Sequence, residues 1–267
     1  MSLTVDKSLL NQVLAIAEDA GKAIMTIYQQ DDFGVEVKGD NSPLTAADLA
    51  SHETIVAGLS KLTPDIPILS EESDDIDWPT RQSWTQYWLI DPLDGTKEFI
   101  KRNGEFTVNI ALVESGEPTL GVVVAPVLET AYLGGKGLGA EKVKDGNSTT
   151  ISSVTPSQSD VWAVVGSRSH QSPEVADFLT KLPNHEMVAM GSSLKICLVA
   201  EGKAHLYPRL GLTSEWDTAA AHAVVLAAGA EMVDAETRLP LRYNQKESIL
   251  NPFFIAASKE LLTADLF

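Results

Sequence analysis

The feature that most constrains this chain is a pair of acids that follows a short apolar run, residues 88–90. The next six residues read Asp-Pro-Leu-Asp-Gly-Thr. Proline has a fixed backbone φ and no N–H donor, so a strand should turn at this point and direct Asp91 and Asp94 into one pocket. Gly95 lets other groups approach the backbone closely, and its N–H and that of Thr96 suit an oxyanion held beside cations.

This spacing alone leaves two interpretations open. Asp91 and Asp94 would repel one another unless a hard cation lay between them, which indicates a metal site. Lys97 follows closely, so a salt bridge in a solvated acidic turn is the structural alternative.

Three further acids could join the same pocket. Glu71 follows another short apolar run, Asp217 precedes the alanine-rich stretch 219–228, and Asp48 lies early in an amphipathic segment that runs to residue 62. Acids are favoured at the start of helices by capping and by the helix dipole. Asp48 and Asp217 therefore each have a purely structural alternative.

Taken together, these segments resemble the signature of the inositol monophosphatase superfamily, whose members are magnesium-dependent, lithium-sensitive phosphatases. That signature is a Glu-Glu pair, then Asp-Pro-Leu/Ile-Asp-Gly-Thr, then a distant Trp-Asp. The chain has these three parts in this order, at residues 71–72, 91–96 and 216–217.

Within that superfamily the chain is similar to the 3'(2'),5'-bisphosphate nucleotidases of the CysQ type. The similarity lies in Lys-Glu-Phe-Ile-Lys-Arg-Asn-Gly-Glu-Phe-Thr-Val-Asn at 97–109, Gly-Ser-Ser-Leu-Lys at 191–195 and Tyr-Pro-Arg at 207–209. It covers most of the chain and is weakest from residue 127 to 160. The acidic insert 73–77 departs from the family pattern and has no role that the sequence assigns.

The resemblance implies a five-layer α-β-α-β-α sandwich of the inositol monophosphatase and fructose-1,6-bisphosphatase type. The residue pattern agrees, because helical periodicity and then strand-like runs dominate the first half, whereas strands and helices alternate after residue 161. The polar stretch 140–160 is the best candidate for a boundary. We therefore expect an N-terminal α+β lobe, 1–145, with most metal ligands, and a C-terminal α/β lobe, 146–267, with Asp217 and the determinants of substrate specificity.

The resemblance also assigns roles at the site. Two or three Mg²⁺ ions would be held by Glu71, Asp91, the Leu93 carbonyl, Asp94 and Asp217, with Asp91 bridging two ions. Thr96, hydrogen-bonded to Asp48, would orient the attacking water and relay its proton. The backbone donors of Gly95 and Thr96 would hold the scissile phosphate, together with the ligands Glu71, Leu93, Asp94 and Asp217. Lys38 is the matching basic residue on the preceding loop.

Specificity for a second phosphate should come from the second lobe. Relatives that act on inositol phosphates have an acid before Trp-Asp, whereas this chain has Arg209, whose guanidinium suits bidentate phosphate binding. Ser192 and Lys195 add donors at a helix N-terminus, and His170 matches a histidine that approaches the nucleotide. A plain surface-loop histidine is the alternative for His170, and a helix cap or an interlobe salt bridge is the alternative for Arg209.

These assignments imply a phosphatase that hydrolyses the 3'-phosphate of adenosine 3',5'-bisphosphate (PAP) to AMP and phosphate, in sulfur assimilation. The sulfated nucleotide PAPS is a second candidate substrate. An inositol or sugar monophosphatase with the same metal site is the first alternative. A catalytically silent nucleotide sensor is the second.

Composition limits the partners. The net charge of −17 over 267 residues would repel nucleic-acid polymers and anionic membranes, although local cations can still attract a small bisphosphate nucleotide. No signal peptide or bilayer-spanning stretch is recognisable. The single cysteine, Cys197, lies in an apolar run and is predicted to be a core residue in a reducing compartment. We expect a cytoplasmic location, with peripheral association with the inner membrane face as an open variant, and the oligomeric state stays open.

Overall fold

The computed structural model describes residues 3–30, 36–37, 43–73, 76–166 and 172–264. Its helices are α1 (Lys7–Tyr28), α2 (Ala46–Leu62), α3 (Trp78–Arg81), α4 (Thr96–Ile100), α5 (Pro173–Thr180), α6 (Leu194–Ala200), α7 (Ala219–Ala227) and α8 (Lys259–Thr263). Its strands are β1 (Glu36–Val37), β2 (Pro43–Leu44), β3 (Ile68–Ser70), β4 (Gln86–Asp94), β5 (Thr107–Glu114), β6 (Glu117–Ala125), β7 (Thr130–Gly135), β8 (Gly139–Lys144), β9 (Asn147–Ile151), β10 (Trp162–Gly166), β11 (His185–Ala189), β12 (Leu206–Arg209), β13 (Ala230–Asp234) and β14 (Phe254–Ser258). None of the described helices is long and apolar enough to cross a membrane.

Two large sheets organise the chain. The first has seven strands in the order β3-β4-β5-β6-β7-β8-β9, and all neighbours are antiparallel except β3 and β4, which are parallel. The second has five strands in the order β11-β10-β12-β14-β13, in which the pairs β11/β10 and β10/β12 are parallel. The predicted change from a mostly antiparallel to an α/β pattern is therefore confirmed.

Helices fill three layers around these sheets. Helices α1 and α2 pack on the outer face of the first sheet, α6 and α7 lie between the sheets, and α5 and α8 cover the second sheet from outside. Strand β4 shows how period-2 side chains serve both faces, since Trp88 and Ile90 join the outer core and Tyr87 and Leu89 join the core between the sheets. The five-layer sandwich is confirmed.

The polar stretch 140–160 contains more regular structure than the sequence indicated. Strands β8 and β9 form an antiparallel hairpin that extends the first sheet as far as Ile151. Polar side chains suit β9 because it is an exposed edge strand. The division of the chain at residue 145 into two lobes stays a prediction.

The structure also shows where Cys197 and part of the acidic insert 73–77 lie. Cys197 is fully buried in the core between the sheets, as predicted. In the acidic insert, the Asp77 carboxylate accepts a hydrogen bond from Thr80 N (3.0 Å) and caps helix α3. Residues 74–75 lie outside the described residues.

The backbone of helix α7 lies unusually close to the first sheet. A Cβ atom at Gly121 would lie only 2.0 Å from the Ala220 carbonyl oxygen, and one at Gly134 would lie 2.8 Å from Val224 Cα. Glycine at these strand positions lets the helix sit directly on the sheet. The start of α7, two residues after Asp217, is thereby held close to strands β6 and β7.

We predict that Gly121→Ala lowers the free energy of unfolding by at least about 3 kcal/mol, because the methyl group meets helix backbone that cannot move aside. Gly166→Ala is the matched control, since its Cβ would meet only the terminal methyl of Met187, which can rotate away. Urea unfolding of both variants measures the difference. Equal, small losses in both variants would contradict the close-approach argument.

Candidate active site

The two strand ends at the candidate site are adjacent in the first sheet. Parallel strands β3 and β4 pair up to Ser70 and Ile90, and Glu71 N donates to the Ile90 carbonyl oxygen (3.3 Å). Glu71 and Asp91 therefore lie side by side at the point where the pairing of β3 with β4 ends. The sequence placed both acids after apolar runs, and the parallel pairing is what brings them together.

The Asp-Pro motif forms a bulge, whereas the sequence predicted that the strand would turn there. Strand β4 continues to Asp94, and its pairing with β5 shifts register between Asp91 and Asp94. Pro92 is tolerated because strand β3 no longer pairs with β4 at that point, so no ladder hydrogen bond is lost on that side. Ser51 on α2 donates a buried hydrogen bond to the Pro92 carbonyl oxygen (2.6 Å) and fixes the bulge.

Both ends of the bulge have a defined backbone geometry. Asp91 Oδ1 accepts a hydrogen bond from Leu93 N (3.1 Å), which folds the carboxylate back over the bulge. Gly95 has a φ of 98°, in the left-handed region that favours glycine, and it precedes the short helix α4. The chain can therefore pass from strand β4 into helix α4 at Gly95 and place Thr96 next to the carboxylate of Asp48.

Thr96 and Asp48 form the predicted pair. Thr96 Oγ1 donates to Asp48 Oδ1 (3.2 Å), while Asp48 Oδ2 accepts from Thr45 N (2.8 Å) and Thr45 Oγ1 (2.6 Å). The second set of bonds is a helix capping box, so the structural alternative for Asp48 is also correct. The cap holds the carboxylate, which is only 1% exposed, in the orientation that meets Thr96.

Asp94 is held by the opposite half of the molecule. Its Oδ2 atom accepts a hydrogen bond from Ser193 N (2.6 Å), in the turn before α6. The Ser193 hydroxyl in turn contacts Asn109 Oδ1 (2.9 Å) and Thr107 Oγ1 (2.8 Å) on strand β5. These bonds join the two halves of the chain at the site.

Asp217 does not cap helix α7, although capping was its structural alternative. The helix N-cap is Thr218, without a side-chain bond, and Asp217 Oδ2 accepts instead from Ser214 N (3.0 Å). The loop before α7 thus fixes the carboxylate beside the other acids.

Burial and mutual repulsion act together on the acids. Burial raises the pKa of Asp91 well above its usual range, and the neighbouring carboxylates Glu71, Asp94, Asp217 and Asp48 raise it further. Burial also raises the pKa of Asp94 to about 6, against the lowering effect of Lys195. The pKa of Asp217 rises to about 8, through burial and then through Asp94.

This donor set fits a hard cation. Carboxylate oxygens, together with a backbone carbonyl oxygen, are the ligands that Mg²⁺ prefers. The cation also relieves the repulsion between neighbouring carboxylates. As the side chains stand, no group of three or more His, Cys, Asp or Glu residues among those described is arranged to hold a metal ion. Binding would therefore require the acids to move closer together, against the repulsion that the ion itself would remove.

The cleft beside Asp94 and Asp217 also contains three predicted specificity residues. A cavity of about 80 Å³ is lined by both acids and by Ser192, Lys195 and Arg209. Its volume has room for one phosphate-sized group. Lys38 and His170 lie outside the described residues.

The cations in this cleft are held differently. The half-buried Lys195 ammonium lies 5.9 Å from the Tyr207 ring centroid, and burial lowers its pKa against the opposing effect of Asp94. Arg209 Nε donates to Thr213 Oγ1 (2.6 Å), and Nη2 donates to the Leu212 carbonyl oxygen (2.7 Å). Arg209 thus stabilises its own loop, which neither of its sequence-based alternatives anticipated.

Sequence reasoning missed the residues that support the acids. Ser193, Thr107 and Asn109 position Asp94, Thr45 orients Asp48, and Ser51 fixes the bulge. A usable signal was present for two of them, because Thr107 and Asn109 are polar residues in the otherwise apolar strand β5 and are fully buried.

The layered fold and the carboxylate cluster define the inositol monophosphatase class, and comparison with known proteins agrees. The model of the inositol monophosphatase family matches residues 6–266. The 3'(2'),5'-bisphosphate nucleotidase CysQ of Escherichia coli (strain K12) is 53% identical over 247 residues, which are 92% of this chain and 98% of that protein.

Solved structures give the same result. The crystal structure of CysQ from Bacteroides thetaiotaomicron is 45% identical, with a TM-score of 0.83 and coverage of 95% of this chain and 98% of that one. Inositol monophosphatase from Anabaena is 26% identical, with a TM-score of 0.74 and coverage of 96% and 92%. The chain belongs to the inositol monophosphatase family, whose members are in general metal-dependent.

We predict that Ser51→Ala lowers the free energy of unfolding by about 1–3 kcal/mol, because it leaves the buried Pro92 carbonyl without its side-chain donor. Ser8→Ala, on the exposed face of α1, is the control and should change stability by less than about 0.5 kcal/mol. Chemical denaturation compares the two. If Ser51→Ala is as stable as the control, the hydroxyl does not anchor the bulge.

Proposed function

We propose that this protein is a magnesium-dependent 3'(2'),5'-bisphosphate nucleotidase. It would release the 3'-phosphate of PAP as inorganic phosphate and leave AMP, in sulfur assimilation. The observation that carries the proposal is the buried cluster of acids around Asp91, with the Thr96–Asp48 pair beside it. The likeness to CysQ nucleotidases, at 53% identity over most of the chain, supports the choice of substrate.

The ligands for two or three Mg²⁺ ions would be Glu71, Asp91, the Leu93 carbonyl, Asp94 and Asp217, with Asp91 shared. Bound magnesium would neutralise the phosphate oxygens, make a water molecule more acidic and stabilise the leaving oxygen. The lithium sensitivity typical of the family belongs to the same proposal.

Thr96 and Asp48 would handle the proton. The Thr96 hydroxyl donates to Asp48 Oδ1, so its oxygen lone pairs are directed away from Asp48 and can accept a hydrogen bond from the attacking water. As the water attacks phosphorus, its proton passes to Thr96 Oγ1 while the hydroxyl proton passes to Asp48. The two bonds from Thr45 keep Asp48 in place to receive it.

The turn after strand β4 would hold the scissile phosphate. The backbone N–H groups of Gly95 and Thr96 belong to this turn, and the positive φ of Gly95 gives it its shape. Glu71, the Leu93 carbonyl, Asp94 and Asp217 would help to hold the same group as ligands of the magnesium ions. Lys38, which lies outside the described residues, belongs to this proposal as an additional cation.

The small cleft beside Asp94 and Asp217 would select for a second phosphate. Lys195, Arg209 and Ser192 line one small cavity with Asp94 and Asp217, so a phosphate there lies close to the metal ligands. His170 would approach the nucleotide. PAPS stays a second candidate substrate, because it also has a 3'-phosphate and an anionic group at the 5' position.

The proposal also covers the binding partners and the cellular compartment. The small-molecule partner would be a bisphosphate nucleotide, and we keep the expectation that nucleic-acid polymers do not bind. The single buried cysteine is consistent with a reducing cytoplasm.

Phosphate release from PAP, inositol 1-phosphate and glucose 1-phosphate, each with magnesium and with EDTA, tests the proposal. We expect magnesium-dependent hydrolysis with the highest kcat/KM for PAP. A higher kcat/KM for a monophosphate would favour the inositol or sugar monophosphatase. Tight binding of PAP without any hydrolysis would favour a nucleotide sensor.

Thr96→Ala should lower kcat for PAP by about a hundredfold or more, because the attacking water loses its proton relay. The magnesium concentration for half-maximal rate should change much less, since Thr96 Oγ1 is not among the proposed ligands. Thr96→Ser keeps the hydroxyl and should retain most of the rate. A full rate in Thr96→Ala would remove the hydroxyl from the mechanism.

Arg209→Ala should reduce kcat/KM for PAP about tenfold to a hundredfold and reduce that for adenosine 3'-monophosphate much less. Only PAP places a second phosphate against the guanidinium. Thr213→Val is the control, because it removes the Arg209–Thr213 bond and keeps the charge. If Arg209→Ala lowers both values equally, the side chain only supports its loop.

A further inference from the structure

A second and much larger cavity lies beside helix α7. It has a volume of about 810 Å³ and is bordered by one side of α7, the β7–β8 turn and the loop 239–242. We call it the helix cavity. It shares no lining residue with the small cleft at Asp94 and Asp217. Its volume is typical of ligand-binding cavities, whereas the small cleft has room for only one phosphate-sized group.

The helix cavity has an apolar wall and a cationic rim. Leu226 of α7 and Leu239 and Leu241 of the loop contribute apolar surface, and Leu239 is 66% exposed. Lys136 and Lys259 lie at the rim as exposed side chains. An exposed leucine on such a wall gains most by contacting an apolar ligand body.

The acids at the same cavity are already engaged. Glu117 lies 3.6 Å from Lys136 Nζ and 3.5 Å from Arg242 Nη1, and all three side chains are exposed, so these pairs are weak. Glu231 accepts from Met232 N and contacts His222. Because the pairs of Lys136 and Arg242 with Glu117 are weak, both cations can also bind an anion, and Lys259 is exposed at the same rim. This positive rim lies on a chain whose net charge is −17.

A buried chain of hydrogen bonds leads from this cavity to the candidate active site. Glu231 Oε1 lies 3.2 Å from His222 Nε2, and His222 Nδ1 lies 2.9 Å from the Tyr243 hydroxyl. The Tyr243 hydroxyl donates to Thr218 Oγ1 (3.2 Å), and Thr218 lines the small cleft next to Asp217. Each of these contacts shares a side chain with the next, so together they form a connected network.

Helix α7 itself joins the two sites. It begins directly after Asp217 and Thr218, and Ala223, Leu226 and Ala227 further along it line the helix cavity. The close approach at Gly121 leaves the helix no room to bend toward the first sheet. A displacement at one end is therefore transmitted along the helix as a rigid body.

We propose that the helix cavity is a second ligand site, for a small organic anion with an apolar body, and that its occupant alters turnover through His222, Tyr243 and Thr218. The apolar wall would bind the body of the ligand and the lysines its charge. The binding part is independent of the proposed function, whereas the effect on turnover rests on it.

The fluorescent probe 8-anilino-1-naphthalenesulfonate (ANS) has this chemistry and tests the binding part. We expect one saturable ANS site per folded chain. The double variant Lys136→Glu/Lys259→Glu should weaken it about tenfold, since two exposed favourable charges become unfavourable. Lys203→Glu makes the same type of charge change at an exposed lysine outside the cavity and should bind ANS normally.

A variant of the apolar wall and a neutral probe test the two parts of the site separately. Leu239→Asp changes an exposed side chain, so the protein should still fold, and it should also weaken ANS binding. Neutral 1-anilinonaphthalene should bind more weakly than ANS. Equal affinity of ANS for all variants, no saturable binding, or equal affinity for the neutral probe would overturn the assignment.

The effect on turnover is measured with PAP as substrate. Saturating ANS should lower kcat and leave KM for PAP unchanged. Tyr243→Phe should still bind ANS, because Tyr243 does not line the cavity, and should show a smaller effect of ANS on kcat. Competition with PAP, or an unchanged kcat at saturation, would overturn the coupling. A protein that binds ANS at this site and hydrolyses no bisphosphate nucleotide would instead refute the proposed function.

Discussion

The mutual repulsion of carboxylates that the fold forces together is the constraint on which the site depends. Asp91 is buried at the bulge of strand β4, and burial and four other acids raise its pKa. Charges withdrawn from water and unpaired cost several kcal/mol each, so the surrounding structure has to compensate for holding them there. The compensation is visible as backbone donors, from Leu93, Ser193 and Ser214, each aimed at one of the acids. A hard cation would remove the remaining repulsion.

The fold supplies these acids from separate parts of the chain. Parallel pairing of β3 and β4 places Glu71 beside Asp91, and the loop before helix α7 supplies Asp217. Ser193, at the start of α6, donates a hydrogen bond to Asp94 on strand β4. The position of the Asp94 carboxylate therefore depends on the position of α6. The site is therefore assembled only when both sheets and the helices between them are packed. The close packing of helix α7 on Gly121 of β6 and Gly134 of β7 is part of this assembly.

The sequence predicted the acids well and their supports poorly. Asp91 and Asp94 stand in one motif and Asp217 in a distant Trp-Asp pair, and the resemblance to the family signature, rather than the spacing alone, assigned all three to one site. Helix α2 follows its own periodicity and cap. Ser193 and Asn109 could not be assigned in this way, because their roles arise from contacts between residues about 85 positions apart or more. The hairpin β8–β9 was missed for a different reason: an exposed edge strand has no apolar face to reveal it. The bulge at Pro92 follows from where the neighbouring strand ends, which local sequence does not encode.

Thermal unfolding with and without magnesium tests the central claim most directly, in the wild type and in Asp94→Asn at constant ionic strength. Because the ion binds only the folded state, saturating magnesium should raise the Tm of the wild type by about 5 °C or more. Without magnesium, Asp94→Asn should be at least as stable as the wild type, since it removes one of the repelling charges, and its rise with magnesium should be much smaller. A wild-type Tm that does not respond to magnesium, together with a clear loss of stability in metal-free Asp94→Asn, would contradict the account.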